Sequence, residues 1–136
     1  MSLGSEDFSA SAGMEPTPEA LLAPNQAIVF ACRRAGISPY GFPASIADYS
    51  DIERFRGTVH FARQLGFVGA LCIHPSQVAI LNEEFAPSDA EVERAQALIA
   101  AYEGGLREGK GAVEFQGAMV DAPVAARARE IIRRAH

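Results

Sequence analysis

The order of predicted elements indicates an α/β fold with a parallel sheet. Helical patterns alternate with short apolar runs in the order helix, strand, helix, buried strand and helix, and a helical region follows. The chain has 136 residues, enough for a single hydrophobic core. Because a closed eight-stranded α/β barrel takes about 250 residues, the sequence predicts either a small open α/β domain or part of a larger fold.

The first helix is predicted from its boundary residues. Thr17 has the character of an N-cap, and Pro18 suits the first helical position. We expect Pro24 to interrupt the first turns, with the helix continuing until Gly36 ends it. Ile37–Phe42 then forms a short candidate strand.

The second βα unit has a clear start signal. Ser50-Asp51-Ile52-Glu53 matches the capping box, in which serine and glutamate each satisfy a free backbone amide. The helical spacing that follows puts apolar residues on one face, and Gly66 closes the helix. Those residues are Ile52, Phe55, Val59, Ala62 and Leu65. Phe67–Ile73 is short and continuously apolar, which predicts a strand buried on both faces.

The last part of the chain is predicted to be mostly helical. His74-Pro75 ends the apolar strand, and Ser76–Phe85 has a helical pattern. A second capping box, Ser88-Asp89-Ala90-Glu91, starts a longer helix whose end is weakened by three glycines. Val113–Phe115 is a brief candidate strand, and Pro123–Ala135 is a final helix.

Composition excludes several classes of function. The net charge is −5 and there is no long basic run, which argues against a nucleic-acid partner. No apolar run approaches the roughly 20 residues of a membrane span, and the first residues lack the pattern of a secretion signal. Cys32 and Cys72 belong to no metal-binding or disulfide pattern, so we expect two reduced core thiols in a cytoplasmic protein.

One carboxylate has an unusual setting near the end of the chain. Asp121 lies between apolar neighbours in the glycine-bounded segment Gly109–Pro123, two residues before Pro123. An aspartate directly before a helix is a good N-cap. A carboxyl group delivered to a reaction site could instead transfer a proton. The residues alone leave both interpretations open.

Four motifs occur in order along the chain. They are Gly4-Ser5-Glu6-Asp7-Phe8, Gly69-Ala70-Leu71-Cys72-Ile73-His74-Pro75-Ser76-Gln77, Phe85-Ala86-Pro87-Ser88 and Gly117-Ala118-Met119-Val120-Asp121-Ala122-Pro123. Together they resemble the C-terminal half of the citrate lyase β-subunit-like proteins. That group includes the malyl-CoA and citramalyl-CoA lyases of the HpcH/HpaI aldolase family. The resemblance runs from about residue 4 to residue 135.

The resemblance implies a partial (β/α)8 TIM barrel with a helical C-terminal extension. Residues 1–86 would supply the last three βα units, and residues 87–136 the extension that carries the Gly-Ala-Met-Val-Asp-Ala-Pro motif. The family's first five units carry a magnesium-binding glutamate and an arginine for the 2-oxo acid, which have no counterpart here. Family members assemble as trimers or hexamers, so the resemblance also implies a homo-oligomer.

The family's reaction is magnesium-dependent cleavage of a hydroxyacyl-CoA thioester to acetyl-CoA and a 2-oxo acid. Asp7 resembles a magnesium ligand at the C-terminal end of a barrel strand, where barrel active sites lie. Adjacent residues of an extended segment face opposite ways, so we expect only one of Glu6 and Asp7 to face the metal, and the resemblance picks Asp7. A solvated acidic pair is the alternative.

Further site residues follow from the same resemblance. Asp121 resembles the acid/base residue that the extension delivers, often into a neighbouring subunit's site. His74, Pro75 and Gln77 resemble a segment close to the bound thioester, and a purely structural turn is the alternative. Tyr40 and Gly41 occupy a stretch expected to contact the substrate or CoA.

Two departures from the family pattern indicate a divergent subgroup. Pro39-Tyr40 replaces the aspartate of an aspartate-glycine pair in the stretch that also holds Asp48, and Asn25 replaces an arginine. Two other functions stay open: an acyl-CoA thioesterase, in which Mg²⁺ and Asp121 would activate water, and a non-catalytic assembly module completing a partner's site. We expect the isolated chain to lack lyase activity and to self-associate.

Overall fold

A computed structural model describes residues 1–45 and 50–135, so Asp48 and His136 lie outside the described residues. The chain divides into two compact units, Met1–Phe85 and Ala86–His136. The helices and strands are α1 (Ser5–Ala12), α2 (Pro18–Ala35), α3 (Ile52–Leu65), α4 (Pro75–Phe85), α5 (Asp89–Arg107), β1 (Val113–Phe115), β2 (Ala118–Val120) and α6 (Ala122–Arg134). The assignment of the two units to barrel and extension stays a prediction.

The segment around Glu6 and Asp7 is helical, so the prediction of an extended segment is wrong. The amide of Phe8 donates to the carbonyl of Gly4 at 2.9 Å, which closes the first turn of α1. Both carboxylates lie in that first turn, where negative charge interacts favourably with the helix dipole. In a helix, neighbouring side chains point about 100° apart, so the two carboxylates do not face opposite ways.

Helix α2 runs through Pro24 without a break, so the predicted interruption is wrong. Thr17 caps its start as predicted, accepting a hydrogen bond from the amide of Ala20 at 3.2 Å. Proline removes one helical hydrogen bond, but Leu21 and Asn25 on either side of Pro24 are fully buried. The packing of this helix face stabilises α2 by more than the loss of one hydrogen bond at Pro24 destabilises it. Gly36 ends the helix in the left-handed conformation, as predicted.

Helix α3 begins one residue later than the predicted capping box. Its N-cap is Asp51, not Ser50, because the Asp51 carboxylate accepts a hydrogen bond from the Arg54 amide at 3.0 Å. Aspartate and serine are equally good caps, so the pattern alone could not choose the register. Phe55, Val59 and Ala62 are buried, and Gly66 closes the helix as predicted.

The two apolar runs predicted as strands form no regular strands, and the described residues contain such strands only at β1 and β2. Instead, four backbone hydrogen bonds link residues 1, 38–41 and 68–69 side by side. They are Met1 N to Ser38 O at 3.0 Å, Tyr40 N to Met1 O at 3.0 Å, Gly41 N to Gly69 O at 3.0 Å and Val68 N to Pro39 O at 3.1 Å. The paired segments run in the same direction, as in parallel strands, but these hydrogen bonds are too few to form a regular sheet.

Burial along the second apolar run also differs from the prediction. Phe67 is fully buried, whereas Leu71 and Ile73 are 67% and 59% exposed. A strand is buried on both faces only where other elements cover both faces. No described element covers these two side chains, so the run is buried only at its start.

The core of the first unit lies between its helices and the extended segments. The rings of Phe42 and Phe55 stack with centroids 5.1 Å apart. The cluster around them comprises Val29, Ala44, Val59, Ala62, Phe67, Ile80, Leu81 and Phe85. Arg56 on α3 also bonds the carboxylates of Glu83 and Glu84, which ties α3 to α4.

The second unit consists of two helices and a hairpin. The capping box predicted for α5 is present, because Ser88 accepts from the Glu91 amide and Glu91 accepts from the Ser88 amide. Gly105 does not end the helix but lets β1 approach it, since a Cβ there would lie 2.1 Å from Cγ1 of Val113. Strand β1 was predicted. Strand β2, which pairs antiparallel with it, was not.

The packing of the second unit centres on one small cluster. Tyr102, Val120 and Ala125 are buried in it, from α5, β2 and α6 respectively.

Both cysteines of the chain are free; Cys32 is buried, but Cys72 is exposed, so the prediction of two core thiols is wrong for Cys72. Among the described helices, none is long and apolar enough to cross a membrane.

Candidate functional site

A cavity of about 380 Å³ lies at the start of α1, within the first unit. Its walls come from the beginning of the chain, the segment after α2 and the run after Phe67. The lining residues are Ser2, Leu3, Gly4, Ser5, Glu6, Asp7, Gly41, Phe42 and Leu71. Two residues predicted for the site, Asp7 and Gly41, therefore share one cavity.

The carboxylate of Asp7 is exposed and folds back over the helix start. A Cβ built on Gly4 would lie 3.5 Å from its Oδ2 atom. The hydroxyl of Ser5 donates to the carbonyl of Phe42 at 3.2 Å, which fixes the first turn of α1 against the segment that contains Gly41. Ser5 was not predicted as a site residue; its place two positions before Asp7 in the first motif is the signal that could have identified it.

The carboxylate oxygens that Asp7 brings to this cavity meet the requirements of magnesium in part. Mg²⁺ takes oxygen ligands, commonly one or two carboxylates with waters and substrate oxygens completing an octahedron. Asp7 offers one carboxylate beside an open cavity, which fits that role. The part of the chain that the structure describes holds no group of three or more His, Cys, Asp or Glu able to bind a metal. Further ligands would have to come from elsewhere.

Gly41 lies in a very close contact that only glycine permits. Its backbone amide donates to the carbonyl of Gly69. A Cβ at position 41 would lie 2.3 Å from Cε1 of Phe67, well inside van der Waals contact. The neighbouring Tyr40 is 43% exposed, and its ring covers Gly69, where a Cβ would lie 3.0 Å from Cε1 of the tyrosine.

The imidazole of His74 is held by the residue that follows Pro75. The backbone amide of Ser76 donates to Nδ1 of His74 at 3.2 Å, and the hydroxyl of Ser76 lies 2.7 Å from the same nitrogen. Because an amide can only donate, Nδ1 is the acceptor. The neutral ring therefore carries its proton on Nε2.

Gln77 is buried and holds the turn before α4. Its side-chain oxygen accepts from the amide of Ile73 at 2.9 Å and from the amide of His74 at 3.2 Å. The amide of Gln77 itself donates to the carbonyl of His74. With the Ser76 amide bonded to His74, the backbone donors of this turn all have protein acceptors. A bound anion would therefore find only side-chain donors here.

Asp121 forms the cap that was one of its two interpretations. It is the N-cap of α6, and its Oδ1 accepts from the amide of Val124 at 3.2 Å. The side chain is half-buried. Its neighbour Val120 is buried, but Met119 is 70% exposed, so apolar residues do not enclose the carboxyl group. The cap uses one carboxylate oxygen, and the catalytic role of Asp121 stays a prediction.

Of the predicted residues, the cavity at α1 brings together Asp7 and Gly41. Tyr40, His74, Pro75 and Gln77 belong to the same unit but are not among its lining residues. Asp121 lies in the second unit and is described there by itself.

A model of the HpcH/HpaI aldolase/citrate lyase family matches residues 1–75. The chain belongs to this family. This family member is 40% identical over 154 residues to the L-malyl-CoA/beta-methylmalyl-CoA lyase of Rhodobacter capsulatus, covering 99% of this chain and 48% of the relative. It is 36% identical over 137 residues to citrate lyase subunit beta of Escherichia coli K12, covering 99% and 45%. The chain thus spans about half the length of these relatives.

Solved structures resemble this family member at lower coverage. CitE from Mycobacterium tuberculosis, in complex with magnesium, acetoacetate and coenzyme A, has a TM-score of 0.69 and 32% identity, covering 82% of this chain and 39% of that chain. RipC from Yersinia pestis has a TM-score of 0.62 and 30% identity, covering 67% and 41%. The relatives named in these comparisons support a lyase-type family with an α/β fold.

Proposed function

We propose that the chain is the C-terminal part of a magnesium-dependent carbon–carbon lyase acting on a hydroxyacyl-CoA thioester. In this proposal residues 1–86 are the last three βα units of a (β/α)8 barrel, and residues 87–136 are its extension. The observation that carries the proposal is the cavity that Asp7 and Gly41 both line. The lyases among the relatives, and the magnesium and coenzyme A bound by CitE, support it.

In the proposed reaction, the bond between the hydroxyl-bearing carbon and the thioester α-carbon breaks. The hydroxyl proton passes to a base, in this proposal the Asp121 carboxylate, as the hydroxyl carbon becomes the carbonyl of the 2-oxo acid and the bonding electrons form an acetyl-thioester enolate. Asp7 would hold Mg²⁺ with one carboxylate oxygen, the remaining ligands coming from water, substrate and residues outside this chain. When bound, Mg²⁺ supplies Lewis-acid polarisation of the 2-oxo acid carbonyl.

Asp121 is the proposed acid that completes the reaction. Its carboxyl group would give a proton to the enolate α-carbon, which yields acetyl-CoA. Only one of its oxygens is used in the cap to Val124, so the other stays available for proton transfer. We further propose that it acts in the site of a neighbouring copy in a homo-oligomer.

The remaining residues would contact or position the thioester. His74 would contact it through its imidazole, as the exposure of that side chain allows. Tyr40 is exposed enough to touch a substrate directly. Gly41, Pro75 and Gln77 are proposed to shape the surface, since Gly41 and Gln77 are themselves buried.

The test is a chimera in which this chain replaces the matching part of the Rhodobacter capsulatus lyase. Product analysis should find acetyl-CoA and a 2-oxo acid from malyl-CoA or citramalyl-CoA. Free CoA without acetyl-CoA would overturn the proposal in favour of a thioesterase. A folded chimera that consumes neither substrate would also contradict it.

Asp121→Asn in that chimera separates proton transfer from capping. Asparagine is as good an N-cap as aspartate but cannot donate an acidic proton. We expect turnover to fall by about 100-fold or more, while the melting temperature stays unchanged. Asp121→Ala is the comparison that loses both functions. Full activity of Asp121→Asn would leave Asp121 with capping as its only role.

Asp7→Asn tests the metal ligand, with Glu6→Gln as the matched control on the next residue. Loss of a carboxylate ligand should raise the Mg²⁺ concentration needed for half-maximal activity, whereas Glu6→Gln should not. Equal effects of the two substitutions would contradict the assignment of Asp7.

A further inference from the structure

A groove of about 290 Å³ lies between α5 and α6, entirely within the second unit. Its floor is formed by Ala95 and Ala128, which are only 3% and 4% exposed. The half-buried side chains of Leu98, Val124 and Ile131 form its walls. Because alanine is small, the two helices meet at these positions with a depression between the flanking larger side chains.

Positive charge borders this apolar groove. Arg94 on α5 and Arg127 on α6 line it and are both exposed. Neither forms an ion pair or a side-chain hydrogen bond within residues 1–45 and 50–135, whereas Arg129 and Arg133 of α6 are paired with Glu103 and Glu130. Two unpaired cations beside an apolar surface are notable in a chain with a net charge of −5.

The carboxylate that also lines the groove is already used in the helix cap. Glu91 accepts hydrogen bonds from the amide of Ser88 at 2.8 Å and from its hydroxyl at 3.1 Å. This geometry engages the Glu91 carboxylate at the start of α5. The border of the groove is therefore complementary to an acidic partner.

The length of the groove matches the repeat of a helix. Its α5 side extends from Glu91 to Leu98, a separation of seven positions that spans about 10 Å at 1.5 Å per residue. That is the distance between the first and last apolar residues in the i, i+3, i+4, i+7 pattern of an amphipathic helix. A groove between two packed helices accepts the side-chain ridges of a third.

We propose that the α5/α6 groove binds an acidic amphipathic helix of a partner protein. The apolar face of that helix would cover Ala95, Leu98, Val124, Ala128 and Ile131. Carboxylates on its flanks would pair with Arg94 and Arg127. This interaction is separate from the proposed lyase reaction and does not depend on it.

The test uses the 136-residue chain and a synthetic helical peptide with leucine at i, i+3, i+4 and i+7 and glutamate on both flanks. Fluorescence anisotropy measures binding, and amide chemical shifts map it to the chain. The same peptide with lysine in place of glutamate is the charge control. We expect the glutamate peptide to bind at α5 and α6, more weakly at high salt, and the lysine peptide to bind at least about tenfold more weakly.

The double variant Arg94→Glu/Arg127→Glu should reverse this preference, so that the lysine peptide binds more tightly. Arg107→Glu is the matched control, because it lies on α5 but not among the lining residues. Circular dichroism verifies that each variant keeps its helices. Binding of both peptides with equal affinity, shifts mapped away from the groove, or no binding would overturn the proposal. Blockage of the groove by self-association of the chain would overturn it as well.

Discussion

Gln116 occupies a backbone conformation that its side chain disfavours. It and Gly117 are the two central residues of the β1–β2 turn, with φ of 51° and 78°. Positive φ at both positions is typical of the type I′ turn, in which Asn-Gly is the preferred pair. Glycine meets this requirement without strain, whereas glutamine does not.

Gln116→Asn is therefore expected to stabilise the hairpin. We expect the free energy of unfolding to rise by about 0.5 kcal/mol, since asparagine tolerates the left-handed region better than glutamine. Gly117→Ala, the opposite change at the next position, should destabilise by about 1 kcal/mol. Chemical denaturation measures both. Stabilisation by Gly117→Ala would contradict the role assigned to this turn.

Gln77 is the second residue with a measurable structural role. Replacing it with methionine keeps the length of the side chain but removes the acceptor for the amides of Ile73 and His74. Leaving such groups unpaired costs about 1–3 kcal/mol, so hydrogen exchange at these two amides should become faster. Val78→Ala on the exposed side of α4 is the control and should leave both exchange rates unchanged. Unchanged protection in Gln77→Met would refute this assignment.

At the scale of elements, the sequence predicted helices much better than strands. Helix signals are local: Thr17, Ser88, Gly36 and Gly66 act within one turn of the chain, and the structure uses all four. The predictions at Pro24 and Ser50 were wrong because the burial of Leu21 and Asn25 keeps α2 continuous and because Asp51, not Ser50, caps α3. Strand formation depends on partners distant in sequence, so the apolar character of Phe67–Ile73 could not show which of its residues would be covered.

The geometry of the candidate site, like that of the strands, depends on contacts that local sequence signals do not reveal. Asp7 and Gly41 could be named from the family resemblance, but their shared cavity depends on the first turn of α1 and on the Ser5 hydroxyl that fixes it. The buried role of Gln77 depends on two backbone amides whose position no pattern in the sequence reveals.

The end of α5 has a charge interaction that depends on pH. Lys110 bonds Glu108 at 2.8 Å, and this hydrogen bond and the positive charge lower the pKa of the Glu108 carboxyl from its usual 4.5. A lowered pKa in the folded state adds stability above the unfolded pKa, and that stability is lost as the pH falls through the folded value.

Lys110→Met should consequently lower the melting temperature slightly at pH 7 and at low salt. The difference from the wild-type chain should vanish in strong acid, where Glu108 is protonated in both. Thermal unfolding across this pH range measures it. A difference that persists unchanged in strong acid would show that Lys110 acts through something other than this pair.

At the scale of the whole molecule, the chain exposes large apolar side chains at the edge of a short backbone pairing. Leu71 and Ile73 are mostly exposed, at the end of the segment that bonds to residues 39–41. Such edges favour pairing with other chains, so we expect concentration-dependent self-association. Light scattering should show it, and Leu71→Lys/Ile73→Lys should reduce it. A wild-type chain that stays monomeric at high concentration would contradict this prediction.

The isolated chain is expected to show no carbon–carbon cleavage of malyl-CoA or citramalyl-CoA. Within the described ranges it brings one proposed magnesium ligand to the cavity, and no metal-binding group of three side chains forms there. Acetyl-CoA release, measured against the full-length Rhodobacter capsulatus lyase as positive control, tests this. Turnover by the isolated chain would show that the described half is sufficient.

The contact between Gly41 and Phe67 also constrains how the family can vary. A methyl group at position 41 would overlap a ring that is itself fully buried. Gly41 cannot gain a side chain unless the residue at position 67 becomes smaller, although 26 positions separate them in the chain. Across related sequences, alanine at the position of Gly41 should therefore appear only where the aromatic ring at position 67 has become a smaller side chain, so the two positions should co-vary through evolution.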